Sequence, residues 1–400
     1  MRIAHLIPQF YPYIGGAEIC VHNICNTLGA SGHEAFVITT TPPPSEALAV
    51  NYNIIRISSK TGGLFRRFPK AGKLYLQFKL SQLQKKYKFD LWQVTMGFPL
   101  GAYAVDFFKK NKIPCILRCC GEDIQKFPEI SYGYRLNSDI DALVTAKYPL
   151  YDGLVALTPS VKEEYMKIGI PKSKIKIIPN GVNNLKFKEA RSNSVIKENI
   201  RKELGVNDGQ LLILTVGRYH PKKGFDLIPS IAAKLKEKGL DFVWVIAGKK
   251  SSEICAKFPE CKNLNIKAVE KFAGNSEDKF NLPSPGLINL YCSADIFVLP
   301  TLIETFGMVL VEAMAAGLPI VTTDAEGVKD VIEHGVNGLK APSGNIEKIS
   351  GIISELIADK ELKNRLSNDA LLTAENTYDW KTVTDKYIGF YREIIDKKKV

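Results

Sequence analysis

Short apolar runs rich in β-branched residues alternate with amphipathic segments along this chain, and the alternation runs twice. The first series reads RIAHLIP, EAFVITT, NIIRIS, LWQVTM, IPCILRC, GLVALT and IKIIPN. Between these runs lie helical patterns such as residues 17–30, which stop near Gly32. Strands that alternate with helices predict a parallel sheet covered on both faces. A charged, small-residue stretch, KEARSNSVIKENIRKE, interrupts the pattern, which then restarts with LLILTVG, FVWVIAG, NIKAV, IFVLP and LPIVTT. The expectation is an α/β chain of two Rossmann-like doubly wound domains facing each other across a cleft. Residues 1–190 form the first and 191–376 the second, and the aromatic helix of residues 377–400 packs back on the first. In such sheets ligands bind beyond the carboxyl ends of the strands, so motifs at those ends carry the chemistry.

At 400 residues, 45% apolar and 24% charged, the chain fits a folded protein with room for two or three cores. No apolar run reaches the ~18 residues of a membrane span, and the N-terminus reads as a first strand rather than a signal peptide. The expected location is cytoplasmic, with peripheral attachment to the inner membrane face as an extension. None of the 8 cysteines forms a C-x-x-C pair, so a disulfide framework is not expected. Adjacent Cys119 and Cys120 read as small residues at a strand end rather than a redox or metal site.

The net charge of +12 is unevenly spread. Between Ala47 and Phe89 there is no acid, while Arg56, Lys60, Arg66, Arg67, Lys70, Lys73, Lys79, Lys85, Lys86 and Lys88 are interleaved with Phe65, Phe68, Tyr75, Phe78 and Tyr87. Such a surface, residues 56–88, suits anionic lipid headgroups. A plain solvated face is nearly as good a reading. Nucleic acid is not expected as a partner, since no nucleic-acid module is visible.

Neither G-x-G-x-x-G nor G-x-x-x-x-G-K-[ST] occurs, which counts against a standard dinucleotide site or a P-loop. Zinc spacings are absent too. Asp139 and Asp141 fall in a probable helix, where they point to different faces and read as surface charge.

Four motifs remain. In LPTLIETFGMVLVEAMAAGLPIVTT a strand ends near Pro300 and a helix runs from about Gly307 to Ala316, with Gly317 suited to its C-terminal stop. Glu304 precedes the helix and Glu312 lies within it, on a surface so apolar that a carboxylate needs donors. Sugar hydroxyls supply donors, and the free N–H groups near Phe306 and Gly307 suit a phosphate. In LTVGRYHPKKGF, Arg218 and Lys223 bracket a loop where two cations can clasp a diphosphate, with Gly224 expected to open the next helix. In YPYIGGAEI, Gly15 and Gly16 permit close backbone approach. In IIPNGVN, Asn180 sits at the expected domain boundary.

In this order, GGAE, PNGV, GR…KKG and ETFGMVLVEAMAAG resemble the retaining glycosyltransferases of the large family 4, with the GT-B fold. The resemblance spans nearly the whole chain. It implies a retaining hexosyltransferase using a nucleotide-sugar donor (UDP- or GDP-sugar) and a glycan or lipid-linked acceptor, with no cofactor and no metal. Arg218 and Lys223 would hold the diphosphate, Glu304 the transferred sugar and Glu312 the ribose. Gly15, Gly16, Asn180, Phe306 and Gly307 would complete the donor site. Family members often carry a histidine in HG-x-D after the fifth strand; here Cys120-Gly121-Glu122-Asp123 has cysteine instead. The sugar would then be oriented by Arg118, Glu122 or Asp123. A nucleotide-sugar epimerase on a similar scaffold and a non-catalytic nucleotide-sugar-binding module are the competing readings.

Overall fold

The computed structural model describes residues 1–45, 48–57, 67–270 and 283–399. The chain forms two compact units, Met1–Asn180 with Trp380–Val400, and Gly181–Asp379.

Unit 1 contains the strands β1 (Arg2–Ile7), β2 (Glu34–Thr39), β3 (Asn53–Arg56), β4 (Leu91–Thr95), β5 (Cys115–Arg118), β6 (Gly153–Ala156) and β7 (Ile175–Ile177). They pair in parallel in the order β3-β2-β1-β4-β5-β6-β7. Its helices are α1 (Gly16–Ala30), α2 (Pro69–Tyr87), α3 (Ala102–Lys110), α4 (Ser138–Lys147) and α5 (Pro159–Lys167). Strand β4 shows why the sheet is buried on both sides. Trp92 and Val94 join an apolar cluster with Leu76 and Leu80 of α2 and Phe108 of α3. The alternate residue Gln93 turns to the other face, where its side-chain oxygen accepts from the hydroxyl of Tyr391 at 2.7 Å.

Unit 2 begins with α6 (Asn184–Arg191) and α7 (Ser194–Glu203), formed by the charged stretch that interrupts the strand pattern. Phe187 is buried there with its ring 6.0 Å from Tyr291, so the apolar side of this stretch belongs to the core of unit 2. The chain therefore divides at Asn180, upstream of that stretch. The strands β8 (Leu211–Val216), β9 (Phe242–Ala247), β10 (Ile266–Val269), β11 (Ile296–Leu299), β12 (Ile320–Thr323) and β13 (Leu339–Ala341) pair in parallel in the order β10-β9-β8-β11-β12-β13. The helices that follow are α8 (Ile228–Glu237), α9 (Ser252–Lys257), α10 (Pro285–Ser293), α11 (Met308–Ala315), α12 (Ile346–Ala358) and α13 (Lys360–Thr377). The last helix, α14 (Trp380–Lys397), returns to unit 1. Strand β13, three residues long, carries too short an apolar pattern to stand out in the sequence.

Each sheet reverses its winding once, between β1 and β4 in unit 1 and between β8 and β11 in unit 2. At such a switch point the loops leaving the two central strands diverge and leave a crevice. The GG motif follows β1. The GR…KKG and ETFG motifs follow β8 and β11, one on each side of the second switch point.

Candidate active site

In unit 2 the two motif loops are built into each other. The Lys222 carbonyl accepts from the Leu302 N–H at 2.7 Å and from the Thr301 hydroxyl at 2.9 Å. Gly224 lies against the Pro300 carbonyl with φ +63°, and any side chain there would collide with that oxygen. It does not open a helix. It joins two short 3₁₀ turns, Pro221–Lys223 and Phe225–Leu227, and α8 starts only at Ile228. The close approach needs a left-handed glycine, and that conformation breaks the turn from the helix.

This docking brings the side chains together. The Lys223 ammonium donates to the Glu304 carboxylate, and both are largely buried. Burial alone would raise the Glu304 carboxyl, but the Lys223 and Lys222 charges outweigh it and hold the group below its usual range. The loop is fixed further by Glu304 N–H donating to the Glu326 carbonyl at 3.0 Å. Gly327, with φ +80°, has no room for a side chain against the Glu304 carbonyl. Nothing in the sequence marks the 326–327 turn as part of this site, because its partner is 22 residues and one strand away.

Helix α11 begins at Met308, with Gly307 at φ +83° as its N-terminal flank and Phe306 buried beside Tyr378. Gly317 ends it with φ +70°, as the C-terminal stop requires. Glu312 accepts from the Tyr291 hydroxyl at 2.8 Å. Burial pushes its carboxyl up to about 7, against the lowering effects of Tyr291 and Lys223. Lys223 thus acts on both carboxylates. Tyr291, buried on α10, was invisible as a site residue because only the fold brings it to Glu312. Arg218 stands exposed at the end of β8.

In unit 1, α1 begins at Gly16 with Gly15 as its extended flank. A side chain on Gly15 would lie 2.7 Å from the Glu18 carboxylate. Burial raises the Glu18 carboxyl, partly offset by its acceptance of the Glu18 and Gly15 N–H groups. The Gly15 N–H, at the turn expected to permit close backbone approach, therefore already meets an internal carboxylate.

The stretch after β5 differs from a wall of three ligand-facing polar groups. Asp123 is 2% exposed, and its carboxylate accepts from the N–H groups of Gly97 (2.7 Å), Cys120 (2.8 Å) and Gly121 (3.0 Å). It shapes the turn, with Gly121 at φ +141°, and is buried among these amides rather than facing a ligand. Arg118 is 1% exposed and also turned inward. Its Nε donates to the Tyr387 hydroxyl at 3.1 Å, Nη1 to the Cys120 sulfur at 3.2 Å and Nη2 to the Asn180 side-chain oxygen. Glu122 alone of the three is exposed. Cys120 is half-buried, and burial, against the lowering effect of Arg118, pushes its thiol up to about 12. Asp141 is paired with Arg135 at 2.7 Å and Lys126 at 3.0 Å.

The basic stretch divides. Arg56 donates to the Thr41 and Pro42 carbonyls, and Lys73 pairs with Asp106 at 2.5 Å. Lys60, Phe65 and Arg66 lie outside the described residues. Helix α2 turns Leu74 (68%) and Phe78 (57%) to the surface, with Phe68 (57%) just before it and Lys70, Lys85, Lys86 and Lys88 exposed alongside.

Comparison with known proteins fits this architecture. The family "Glycosyltransferase Family 4" matches residues 14–184 and the family "Glycosyl transferases group 1" matches residues 196–372. The chain belongs to the family 4-like glycosyltransferases and has their GT-B fold. It is 26% identical to the uncharacterized glycosyltransferase MJ1607 of Methanocaldococcus jannaschii, across 98% of each chain. It is 24% identical to the alpha-monoglucosyldiacylglycerol synthase of Streptococcus pneumoniae, across 94% of this chain and 83% of that one. Among solved structures, a glycosyltransferase from Rickettsia africae superposes with a TM-score of 0.79 at 19% identity, covering 98% of both chains. Anabaena Alr3699/HepE, solved in complex with UDP, superposes with a TM-score of 0.75 at 17% identity, covering 98% of this chain and 100% of that one. These transferase families do not favour the epimerase or the non-catalytic reading.

Proposed function

We propose that this glycosyltransferase moves a hexose from a UDP- or GDP-sugar to a glycan or lipid-linked acceptor, with retention at the anomeric carbon and without a metal. The observation that carries the reading is the set of Lys223, Glu304 and Glu312 beside the β8/β11 switch point, where one cation serves two carboxylates. Lys223 and Arg218 neutralise the leaving nucleoside diphosphate. Glu304 accepts from sugar hydroxyls and Glu312 from the ribose, while Phe306 and Gly307 at the head of α11 offer backbone N–H groups. Gly15, Gly16 and Asn180 of unit 1 complete the proposed donor set. The C1–O bond to the diphosphate breaks, an acceptor oxygen bonds C1 on the same face, and its proton passes to a diphosphate oxygen. Cys120 and Glu122 lie on the sugar and acceptor side.

Support for a nucleotide donor comes from the UDP bound by Anabaena Alr3699/HepE, and for a lipid acceptor from the name of the Streptococcus pneumoniae relative. The exposed Phe68, Leu74 and Phe78 among lysines suit an anionic membrane surface, where the rings enter the headgroup boundary. A thermal-shift screen against nucleotide sugars, followed by detection of nucleoside diphosphate release with glycolipid acceptors and NMR of the product anomer, tests the proposal. No stabilisation by any nucleotide sugar would sink it. Epimerised donor in the absence of acceptor, or binding without release in every acceptor mixture, would move the assignment to the competing readings.

A further inference from the structure

Arg118 is a buried cation whose hydrogen bonds, among the described residues, run only to neutral groups: Tyr387, Cys120 and Asn180. Two further groups that act on it are neutral as well. Cys20 of α1 carries a thiol, and His5 of β1 is an uncharged imidazole held down to about 3 by burial and by Arg118 itself. Burying a guanidinium without a carboxylate is unfavourable, and an apolar side chain would fill a strand end at lower cost. What arginine offers here is geometry: a planar fork that can reach three separate segments at once.

Those three segments have a common feature. Asn180 is the last residue of unit 1 before the chain leaves for unit 2, and α14 starts at Trp380, where the chain comes back. Tyr387 lies two turns into that helix. Cys120 sits just beyond β5, which Arg118 ends. On the unit 2 side the outgoing and returning segments are held to each other. Val182 N–H donates to the Tyr378 carbonyl at 2.7 Å, and the Asn184 amide donates to Ala374 (3.1 Å) and Asp379 (3.2 Å). On the outgoing side only Gly181 separates the pin at Asn180 from the pin at Val182.

We propose that Arg118 is a clamp, one guanidinium that pins both chain crossings to unit 1 and ties them to the strand end carrying Cys120. It is a positioning residue: displacing Cys120 moves the fork, and the fork moves Asn180 and Tyr387 together. The clamp does not depend on which sugar is transferred.

Hydrogen–deuterium exchange on the full chain tests this. Arg118→Lys keeps the charge and loses the fork, so amides of residues 181–183 and 381–388 should exchange on the order of tenfold faster. Asn180→Asp keeps an acceptor for Nη2 and should preserve protection at both crossings. Leu154→Ala loosens the neighbouring strand from the opposite sheet face, where it pairs with Leu117, and should leave the crossings no more exposed than the rest of the sheet. Should Arg118→Lys fail to fold, Tyr387→Phe and Asn180→Leu each remove one arm, and each should loosen its own crossing first. Cys120→Ser, which alters the third arm, should change exchange at residues 181–183 although it contacts none of them. Crossings as protected in Arg118→Lys as in the wild type would overturn the clamp, and so would loosening spread evenly over β4, β5 and β6.

Discussion

The Lys223 ammonium is hydrogen-bonded to the Glu304 carboxylate, so the cation and the acid proposed to face the donor neutralise each other. A diphosphate would draw Lys223 toward itself and free Glu304 to accept from the sugar. Removing one member strands the other. Lys223→Ala should destabilise unit 2 by about 3 kcal/mol, while Lys223→Met with Glu304→Gln should recover most of it. Urea unfolding checks the pair. Turnover should fall on the order of 10²-fold for Lys223→Ala and for Arg218→Ala, and near-normal turnover in both would remove their role.

Glu312 gives a pH dependence with a definite sign. Its folded value of about 7 lies above the ordinary 4.5 of a glutamate, so the folded state holds the proton more tightly. The contribution is full below 4.5 and is lost as pH rises through 7, a fall of about 3 kcal/mol. Glu312→Gln should flatten that slope in thermal unfolding measured from pH 4 to 8. An unchanged slope would mean that Glu312 titrates normally.

Asp123 and Glu122 are neighbours with opposite roles. Asp123→Ala leaves three N–H groups, two of them buried, without their acceptor and should cost about 3 kcal/mol. Glu122→Ala, at an exposed position, should shift stability by less than about 0.5 kcal/mol. If Glu122 meets acceptor, its KM alone should rise.

The exposed apolar row on α2 should act at a membrane. Leu74→Ser with Phe78→Ser should weaken sedimentation with anionic vesicles on the order of tenfold or more, at unchanged melting temperature. High salt should weaken the wild type as well. Equal sedimentation of wild type and variant would assign this face to solvent.

Gly224→Ala should lower stability by about 2 kcal/mol, because the new methyl group would meet the Pro300 carbonyl at a left-handed φ. Turnover should fall with it, since the same turn carries Lys223. Normal activity would show that the motif loops need not be docked.

Much of the fold is legible in the chain because strand and helix are local periods. Runs such as LLILTV and FVWVIA announce buried parallel strands by being largely apolar, and apolar runs placed every strand but the three-residue β13. Motif glycines are legible for the same reason: Gly317 and Gly121 take conformations that favour glycine, which the residue type itself suggests. What the sequence by itself determined is therefore which segments are strands, which loops leave the sheet ends, and which side chains those loops carry. It could not determine what each side chain meets. Lys223 and Glu304 are 81 residues apart, and Arg118 and Tyr387 are 269 apart. Only the order in which strands assemble sets those pairs side by side. The same hydrophilic pattern after β5 thus reads equally as a pocket wall or as a scaffold. The tertiary structure decided it, turning Asp123 and Arg118 inward because backbone amides, Asn180 and Tyr387 were there to receive them.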